Sequence, residues 1–382
     1  MTKKISLLII FVIVCNSNTY ANNTRFDSLI TAGIDQIYNI KLSEAKTTFG
    51  LVIKEFPKQP AGYFFDTMIL WWKILLDFSN EKYDDQFIDR LEYVIDFCDD
   101  ILDKDPKNVD ALFFKGGSLG FRGRLYAYRE NWFDAALDGK DALPLVYSAY
   151  SADPKNIDVQ LGFGIYNYYA SVIPEKFPAV KPFMVFFPKG DKEKGLKQLD
   201  YVSRDGKYAK IESLYFLATS YFSIENNYDK AMDYTLKLTS QYPDNPKFQS
   251  LLGRIWIRTN SYKTAAPIFR EIFKRSIAGM PGYNDVAKRE AVYYLGAYYD
   301  EISKYDSAKY YFEICETASN KLDEDEESGF LINAGLYLGK IYARFGDTKK
   351  AIKKFEQVLD YREYNESYSK AKKELTRIKD QH

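Results

Sequence analysis

Histidine is almost missing from this chain of 382 residues: the only one, His382, is the last residue. A serine or cysteine nucleophile activated by histidine is therefore excluded, and so is a zinc site built on imidazole ligands. The phosphate-cradling pattern Gly-x4-Gly-Lys-Ser/Thr is also missing, which argues against a nucleotide site. We expect a protein without catalysis, cofactor or metal.

Long apolar runs are missing beyond the first residues, and none downstream reaches the roughly 18 residues that span a bilayer. The initial run, Ile5 to Val14, follows Lys3 and Lys4 and precedes Thr19-Tyr20-Ala21. This order predicts a secretory signal peptide over residues 1–21, with cleavage after Ala21. We expect an exported protein, periplasmic or secreted, without a transmembrane segment after cleavage.

An excess of charge of one sign is missing too, since 53 basic residues balance 53 acidic ones. A neutral chain has no general attraction to nucleic acid, so none is expected as a partner. A lipoprotein anchored at Cys15 is the alternative to simple cleavage. Lipidation favours a small residue before the cysteine, and Val14 is not small, so the sequence favours cleavage.

What the chain does have is abundant tyrosine and phenylalanine, 33 and 27 residues, and a recurring pattern. The stretch VYYLGAYYDEISKYDSAKYYFEIC, from Val292 to Cys315, has the spacing φ-x2-L-G-x2-Y…A-x3-F, where φ is apolar. It predicts two antiparallel helices that cross at the small residues Gly296 and Ala308, with Leu295 and Phe312 filling the space around them. One such hairpin cannot bury its apolar face alone, so others must stack on it.

On this pattern, which returns at Leu252-Gly253 and Leu338-Gly339, the chain resembles the tetratricopeptide repeat family over nearly all of its mature length. The resemblance implies an all-α, right-handed α-solenoid of about eight helical hairpins, ended by a capping helix from Glu366 to Lys379. The segment Gly162 to Leu199 weakly resembles tetratricopeptide-39-like proteins. The family binds peptides or protein surfaces in a concave groove, and the resemblance carries over no catalytic residue.

The regularity of the hairpins divides the mature chain into three parts. Residues 22–154 hold irregular, long hairpins, residues 155–207 hold a fourth hairpin with an inserted loop over 173–190, and residues 208–382 hold the regular hairpins and the cap. Four prolines from Pro174 to Pro188 predict extended backbone for the inserted loop, because proline cannot continue a helix.

Cysteine is scarce, and Cys98 and Cys315 are the only ones in the mature chain. They fall on hairpins two and seven. Helices packed 8–10 Å apart would separate them by roughly 50 Å. A disulfide tolerates at most about 7 Å between Cα atoms. We therefore predict two buried free thiols.

The stretch GGSLGFRGR, Gly116 to Arg124, is the first departure from the repeat pattern. Each glycine inside a helix costs about 1 kcal/mol relative to alanine, so four of them need a reason. We favour close helix packing. The alternative is a site where Arg122, Arg124 and Arg129 receive a carboxylate of a partner.

Aromatic residues of hairpin four are the second departure. Tyr166, Tyr168 and Tyr169 follow Gly162-Phe163-Gly164, which we interpret as a close helix approach. The inserted loop carries Phe183, Phe186 and Phe187, either as a plug in the core or as a lid over the groove.

The predicted partner-binding residues are the three arginines and six of the aromatic residues: Arg122, Arg124, Arg129, Tyr166, Tyr168, Tyr169, Phe183, Phe186 and Phe187. We expect a scaffold of the cell envelope that binds a protein or peptide partner there. The alternative is a small-ligand or glycan-binding protein that uses the aromatic groove and the 173–190 loop.

Overall fold

The computed structural model describes residues 24–176, 178, 181–184, 187–324 and 326–380, and within these ranges α-helices form the architecture and no strand occurs. The all-α prediction is confirmed. The predicted signal peptide lies outside the described residues. In chain order the helices are α1 (24–38), α2 (Leu42–Glu55), α3 (Pro60–Leu76), α4 (Asp84–Leu102), α5 (Val109–Tyr128), α6 (Trp132–Ala152), α7 (Val159–Lys176), α8 (Lys181–Met184), α9 (Lys192–Asp205), α10 (Lys210–Ser223), α11 (Tyr228–Gln241), α12 (Pro246–Arg258), α13 (Tyr262–Ile277), α14 (Asp285–Glu301), α15 (Tyr305–Leu322), α16 (Gly329–Arg344), α17 (Thr348–Asp360) and α18 (Ser367–Lys379).

The helices follow the predicted order of hairpins, and the chain divides into two compact units. The N-terminal unit is Met1–Ser220 and the C-terminal unit is Tyr221–His382. The first holds hairpins α1/α2, α3/α4, α5/α6 and α7/α9 and most of α10. The second holds α11, the hairpins α12/α13, α14/α15 and α16/α17, and the cap α18. The predicted right-handedness of the solenoid stays a prediction.

The C-terminal unit repeats every 43 residues. Its crossing glycines are Gly253, Gly296 and Gly339, and the phenylalanines that face them are Phe269, Phe312 and Phe355. A Cβ built on Gly296 would lie 2.8 Å from the Phe312 ring, closer than real contacts allow. The crossing therefore depends on the missing side chain, as the sequence pattern predicted.

The N-terminal unit is organised around two helices that are buried on all sides, α3 and α10. On α3, Trp72 packs edge-on to Tyr38 of α1, with ring centroids 5.3 Å apart, and also contacts Tyr215 of α10 at 6.0 Å. On α10, Phe216 packs edge-on to Tyr169 of α7 at 5.1 Å. The helix α10 thus covers the first helices of the earlier hairpins instead of leaving them open.

The inserted loop is shorter than predicted. Helix α7 continues through Pro174 to Lys176, and the four-residue helix α8 lies further on. The prediction of extended backbone over 173–190 is therefore wrong for residues 173–176 and 181–184. Pro174 lies in the last turn of α7, where its missing N–H removes only one helical hydrogen bond.

Both thiols are free and buried, as predicted. Burial raises the pKa of the Cys98 thiol to about 12 and that of the Cys315 thiol to about 12. Cys315 occupies the position that Ile272 and Val358 hold one repeat earlier and later. Each of these thiols therefore behaves as a small apolar side chain and not as a reactive group.

Candidate partner-binding faces

Two of the predicted arginines, Arg122 and Arg129, pair with carboxylates of this chain. Arg122 makes a bidentate pair with Asp138 of α6, with Nε–Oδ2 and Nη2–Oδ1 distances of 2.9 and 2.6 Å. Arg129 does the same with Asp84 of α4 and also donates to the Phe78 carbonyl at 2.7 Å. Because charge-assisted bidentate bonds are strong, both guanidinium groups are already paired with carboxylates of the unit.

The third arginine, Arg124, points away from the other two. It lies over the Trp71 ring of α3, 5.0 Å from the centroid, and its Nη1 is 2.5 Å from the Glu212 carboxylate of α10. The side chains of Arg124 and Glu212 are only 13% and 8% exposed. The three arginines therefore do not converge on one anion site, and their predicted role in partner binding stays a prediction.

The glycines of α5 do not all serve packing. A Cβ on Gly123 would lie 3.0 Å from the Asp138 Cβ, so this glycine lets α6 approach. A Cβ on Gly120 would meet nothing within 4 Å. The helix is continuous from Val109 to Tyr128, so the glycines do not break it. Close packing accounts for Gly123 and leaves Gly120 without a structural reason.

The predicted tyrosines are engaged in contacts within the N-terminal unit. Tyr168 is fully buried, so it has no surface through which to contact a partner. Tyr169 packs on Phe216, and burial raises the pKa of its hydroxyl. The hydroxyl of Tyr166 donates to the carbonyl of Pro188. None of these contacts forms an aromatic groove.

The downstream end of the inserted loop is packed on the fold. A Cβ on Gly190 would lie 2.6 Å from the Asn167 carbonyl oxygen of α7, and the half-buried ring of Phe187 lies beside Gly139 of α6. For these residues the contacts favour a plug over a lid. Phe186 lies outside the described residues, as does the side chain of Phe183.

The first helices of the C-terminal unit carry a different kind of surface. Arg258, Glu301 and Arg344 occupy equivalent positions near the ends of α12, α14 and α16, and all three are exposed. Tyr262 and Tyr305 begin the helices that follow Arg258 and Glu301. We call these five residues the alternating strip, because its charge runs positive, negative, positive.

The tyrosines of the alternating strip interact with its charged residues. The Arg344 guanidinium lies over the Tyr305 ring at 4.6 Å and donates to the Tyr305 hydroxyl at 2.9 Å. Burial raises the pKa of Tyr262, with nearby Glu301 raising it further and Arg258 opposing. Each tyrosine thus lies beside the charge of the next first helix. Within the described part of the chain, Arg258 and Glu301 have no hydrogen-bond or ion-pair partner.

A second row runs one helical turn or less from the strip. It consists of Arg254, Asp300 and Lys340 on the same three helices. Arg254 lies 3.7 Å from Glu290, a loose pair. Burial raises the pKa of the Asp300 carboxyl, and Arg344 and Lys340 only partly oppose this. In the described ranges no side chain makes a hydrogen bond or ion pair with Asp300 or Lys340.

The two rows were not singled out from the sequence, although a signal was present. The spacing of 43 residues between Gly253, Gly296 and Gly339 is legible without a structure. Reading the residue five places after each glycine gives the alternating strip's charges. The repeat length of 43, and not the pattern within one hairpin, is the information that locates them.

Two classes of site find no support among the residues that the structure describes. No group of three or more histidine, cysteine, aspartate or glutamate side chains is placed to hold a metal ion. In the same ranges, no helix combines the length and apolar character that crossing a membrane requires.

A family model for the tetratricopeptide repeat agrees with the repeated hairpins. The tetratricopeptide repeat model matches residues 212–245 and 333–362. PilF of Pseudomonas aeruginosa is 13% identical, with 68% of this chain and 97% of that chain covered and a TM-score of 0.44. PilW, described as a widely conserved type IV pilus biogenesis factor, is 17% identical, with 66% and 96% covered and a TM-score of 0.41.

A tetratricopeptide repeat protein from Parabacteroides merdae is 12% identical, with 81% of this chain and 99% of that chain covered and a TM-score of 0.33. No curated protein matches the chain. The two repeats that the family model recognises, together with the hairpins, define an all-α repeat protein. The chain therefore contains tetratricopeptide repeats, recognised at residues 212–245 and 333–362. This fold is typical of protein-interaction scaffolds that do not catalyse reactions.

Proposed function

We propose that this protein is an exported scaffold that binds a protein or peptide partner in the cell envelope. The partner binds the surface formed by α12, α14 and α16, the first helices of the three hairpins of the C-terminal unit, which we call the first-helix face. Stacked repeats offer an extended surface for such binding. Export is supported by the apolar run after Lys3 and Lys4 and by the cleavage triplet that ends at Ala21. Mass spectrometry of the mature protein tests export, with Asn22 as the expected first residue.

The observation that carries the binding proposal is the exposure of the alternating strip. Charged side chains occupy three equivalent exposed positions, and among the described residues none of the three forms an ion pair. Lone exposed charges are common on solvated surfaces. A periodic row with a half-buried, unpaired carboxylate, Asp300, beside it is less easily explained by solvation, because burial disfavours the charged form.

The matching position in the first hairpin shows the contrast. Tyr38 lies five residues after Gly33, as Arg258 lies five residues after Gly253. Tyr38 is buried and packs on Trp72. In the N-terminal unit this position contributes to the core, and in the C-terminal unit it faces solvent.

The second candidate function, binding of a small ligand or glycan, has weaker support. It relies on an aromatic groove around Tyr166 and Tyr169, and these residues contact the Pro188 carbonyl and the Phe216 ring instead. A glycan array with purified protein separates the two functions, and we expect no binding above background.

Site-specific photo-crosslinking in the cells that make the protein tests the proposal. A photoreactive residue placed at Glu301 or Lys340 should yield adducts with a second polypeptide. The controls place it at Arg270 or Lys353, which are exposed on the second helices α13 and α17, and these should yield none. Equal adducts at all four positions, or none at any, would contradict the proposed face.

A further inference from the structure

We propose that the alternating strip recognises an extended peptide segment whose charges run acidic, basic, acidic at a spacing of about three residues. This inference rests on the proposed function and names the class of partner. The strip residues that set the pattern are Arg258, Glu301 and Arg344, in that order along the stack of first helices.

Charge complementarity determines the order of the peptide's side chains. Arg258 and Arg344 would each receive a carboxylate, and Glu301 between them would receive an ammonium or guanidinium group. A peptide with the opposite order would place like charges opposite each other at all three positions, which is unfavourable. The alternating strip therefore favours peptides with the complementary order of charges and disfavours peptides with the same order as the strip itself.

The spacing follows from helix packing. Neighbouring packed helices lie roughly 8–10 Å apart, and α12, α14 and α16 are successive neighbours in the C-terminal unit. An extended chain advances at most about 3.3–3.6 Å per residue. About three residues of an extended peptide therefore separate contacts with adjacent first helices.

The contacts of Arg344 orient one end of the alternating strip before a peptide binds. Stacking on Tyr305 and a 2.9 Å bond from Nη1 to its hydroxyl orient the guanidinium plane. The guanidinium has five N–H donors in a fixed fork, so this single bond leaves donors for a carboxylate. Its ordering in the free protein reduces the entropy that binding must overcome.

The second row adds charges of the same order. Arg254 and Lys340 are the cations of α12 and α16, and Asp300 is the anion of α14. Asp300 is half-buried and has no partner among the described residues. A basic side chain that enters between Glu301 and Asp300 would pair with both carboxylates, whereas an acidic side chain would be repelled by both.

Fluorescence polarisation with labelled peptides tests this pattern on the full mature protein. The complementary probe is Ser-Asp-Leu-Ser-Lys-Leu-Ser-Asp-Leu, and the inverted probe is Ser-Lys-Leu-Ser-Asp-Leu-Ser-Lys-Leu. A third probe, Ser-Leu-Leu-Asp-Lys-Asp-Ser-Leu-Ser, has the composition of the first with its charges adjacent. We expect the complementary probe to bind about tenfold more tightly than either of the others at low salt, and the preference to shrink as salt screens exposed charges.

A charge-reversed protein provides the second arm. Arg258→Glu, Glu301→Lys and Arg344→Glu together should reverse the preference, so that the inverted probe binds more tightly. The matched control, Arg270→Glu, Lys353→Glu and Glu356→Lys, makes the same change in charge at exposed positions of α13 and α17 that have no ion pair among the described residues. It should keep the original preference.

The outcomes separate the inference from the proposed function. Equal binding of the three probes, binding of none, or a preference that the strip variant does not reverse overturns the charge pattern. If crosslinks at Glu301 and Lys340 persist in that case, the face binds a partner by other chemistry and the proposed function stands. If those crosslinks are missing as well, both fail. Circular dichroism of the reversed variant confirms that it is folded before binding is compared.

Discussion

The two units give the same hairpin position opposite environments. Five residues after the crossing glycine, the N-terminal unit has Tyr38 in its core and the C-terminal unit has Arg258, Glu301 and Arg344 on its surface. The difference arises from α10, which packs against α3 and α7 in the N-terminal unit, where Trp72 of α3 in turn contacts Tyr38 of α1. Whether a first-helix face is open therefore depends on the helix that follows later in the chain, and not on the hairpin itself.

This contrast reverses the usual inference from irregularity. A stretch that breaks the repeat pattern is a reasonable place to expect function, and the middle of the chain breaks it most. There the irregular features are used for packing: Gly123 admits α6, and Arg124 pairs with Glu212 of α10. The regular unit keeps unpaired charges on its surface because its repeats require only the small and apolar positions.

The largest expected effect comes from removing the contact between α3 and α10. Trp72→Ala deletes a side chain that is 2% exposed and packed on Tyr38 and Tyr215. Large aromatic truncations in cores cost about 3–5 kcal/mol, and we expect the free energy of unfolding to fall by about that amount in urea denaturation.

The matched control for Trp72→Ala is Phe345→Ala, because the Phe345 side chain is 46% exposed. We expect a change of about 0.5 kcal/mol or less, as for most surface substitutions. Similar losses for the two variants would show that α10 does not cover a core in the N-terminal unit.

The next largest effect concerns the buried ion pair between α5 and α10. Arg124→Met leaves the Glu212 carboxylate, 8% exposed, without its partner. Removing one member of a buried pair costs roughly 3 kcal/mol or more, and thermal unfolding should show the loss as a lower Tm.

The double variant Arg124→Met with Glu212→Met separates packing from charge. Replacing both members by apolar groups of similar size is often nearly neutral, so the double variant should be more stable than Arg124→Met alone. If it is instead less stable, the pair contributes net stability and the junction depends on its charges.

A smaller effect distinguishes two glycines. Gly296→Ala places a Cβ 2.8 Å from the buried Phe312 ring, and overpacking of this kind costs about 1–3 kcal/mol. Gly120→Ala adds a methyl group in open space on an exposed helix position and should stabilise by about 0.5–1 kcal/mol. A destabilising Gly120→Ala would indicate that this glycine has a role that the packing does not show.

Much of the fold could be predicted from the sequence because the repeat constrains it locally. Gly296 and Phe312 must face each other for two helices to cross, and the spacing between them is visible in one hairpin. The cap from Ser367 and the two buried thiols follow from the same periodicity. These features depend on residues close together in the sequence.

Which charges stay unpaired could not be predicted in the same way, because pairing depends on long-range packing. Arg124 and Glu212 are 88 residues apart, and no local pattern indicates that they pair. Asp323 is another case: acidic residues follow it in the sequence, yet its carboxylate pairs with Arg289 at 2.5 Å and both side chains are nearly buried. A charge is available to a partner only if the chain itself has not paired it, and the sequence does not show that.

The smallest expected effect on stability comes from Asp300, and it tests whether the first-helix face of the C-terminal unit is used for binding. Burial raises the pKa of Asp300, so folding favours its protonated form. Stability from this group is therefore full below the ordinary carboxyl pKa and is lost as pH rises through the raised value. At neutral pH the charged Asp300 opposes folding slightly, and Asp300→Asn should raise the free energy of unfolding by about 0.5 kcal/mol or less. The gain should vanish in acid, below the carboxyl's ordinary range.

The same variant should weaken the complementary peptide severalfold, because a basic side chain between Glu301 and residue 300 loses one of its two carboxylates. Glu356→Gln, on the exposed face of α17, is the control and should change neither quantity. If Asp300 were needed only for structure, neutralising it would lower the stability of the protein. A fall in Tm at neutral pH with peptide binding unchanged would therefore show that Asp300 supports the fold. A rise in stability together with weaker peptide binding would instead show that the C-terminal unit tolerates an unpaired, half-buried charge because a partner binds to it.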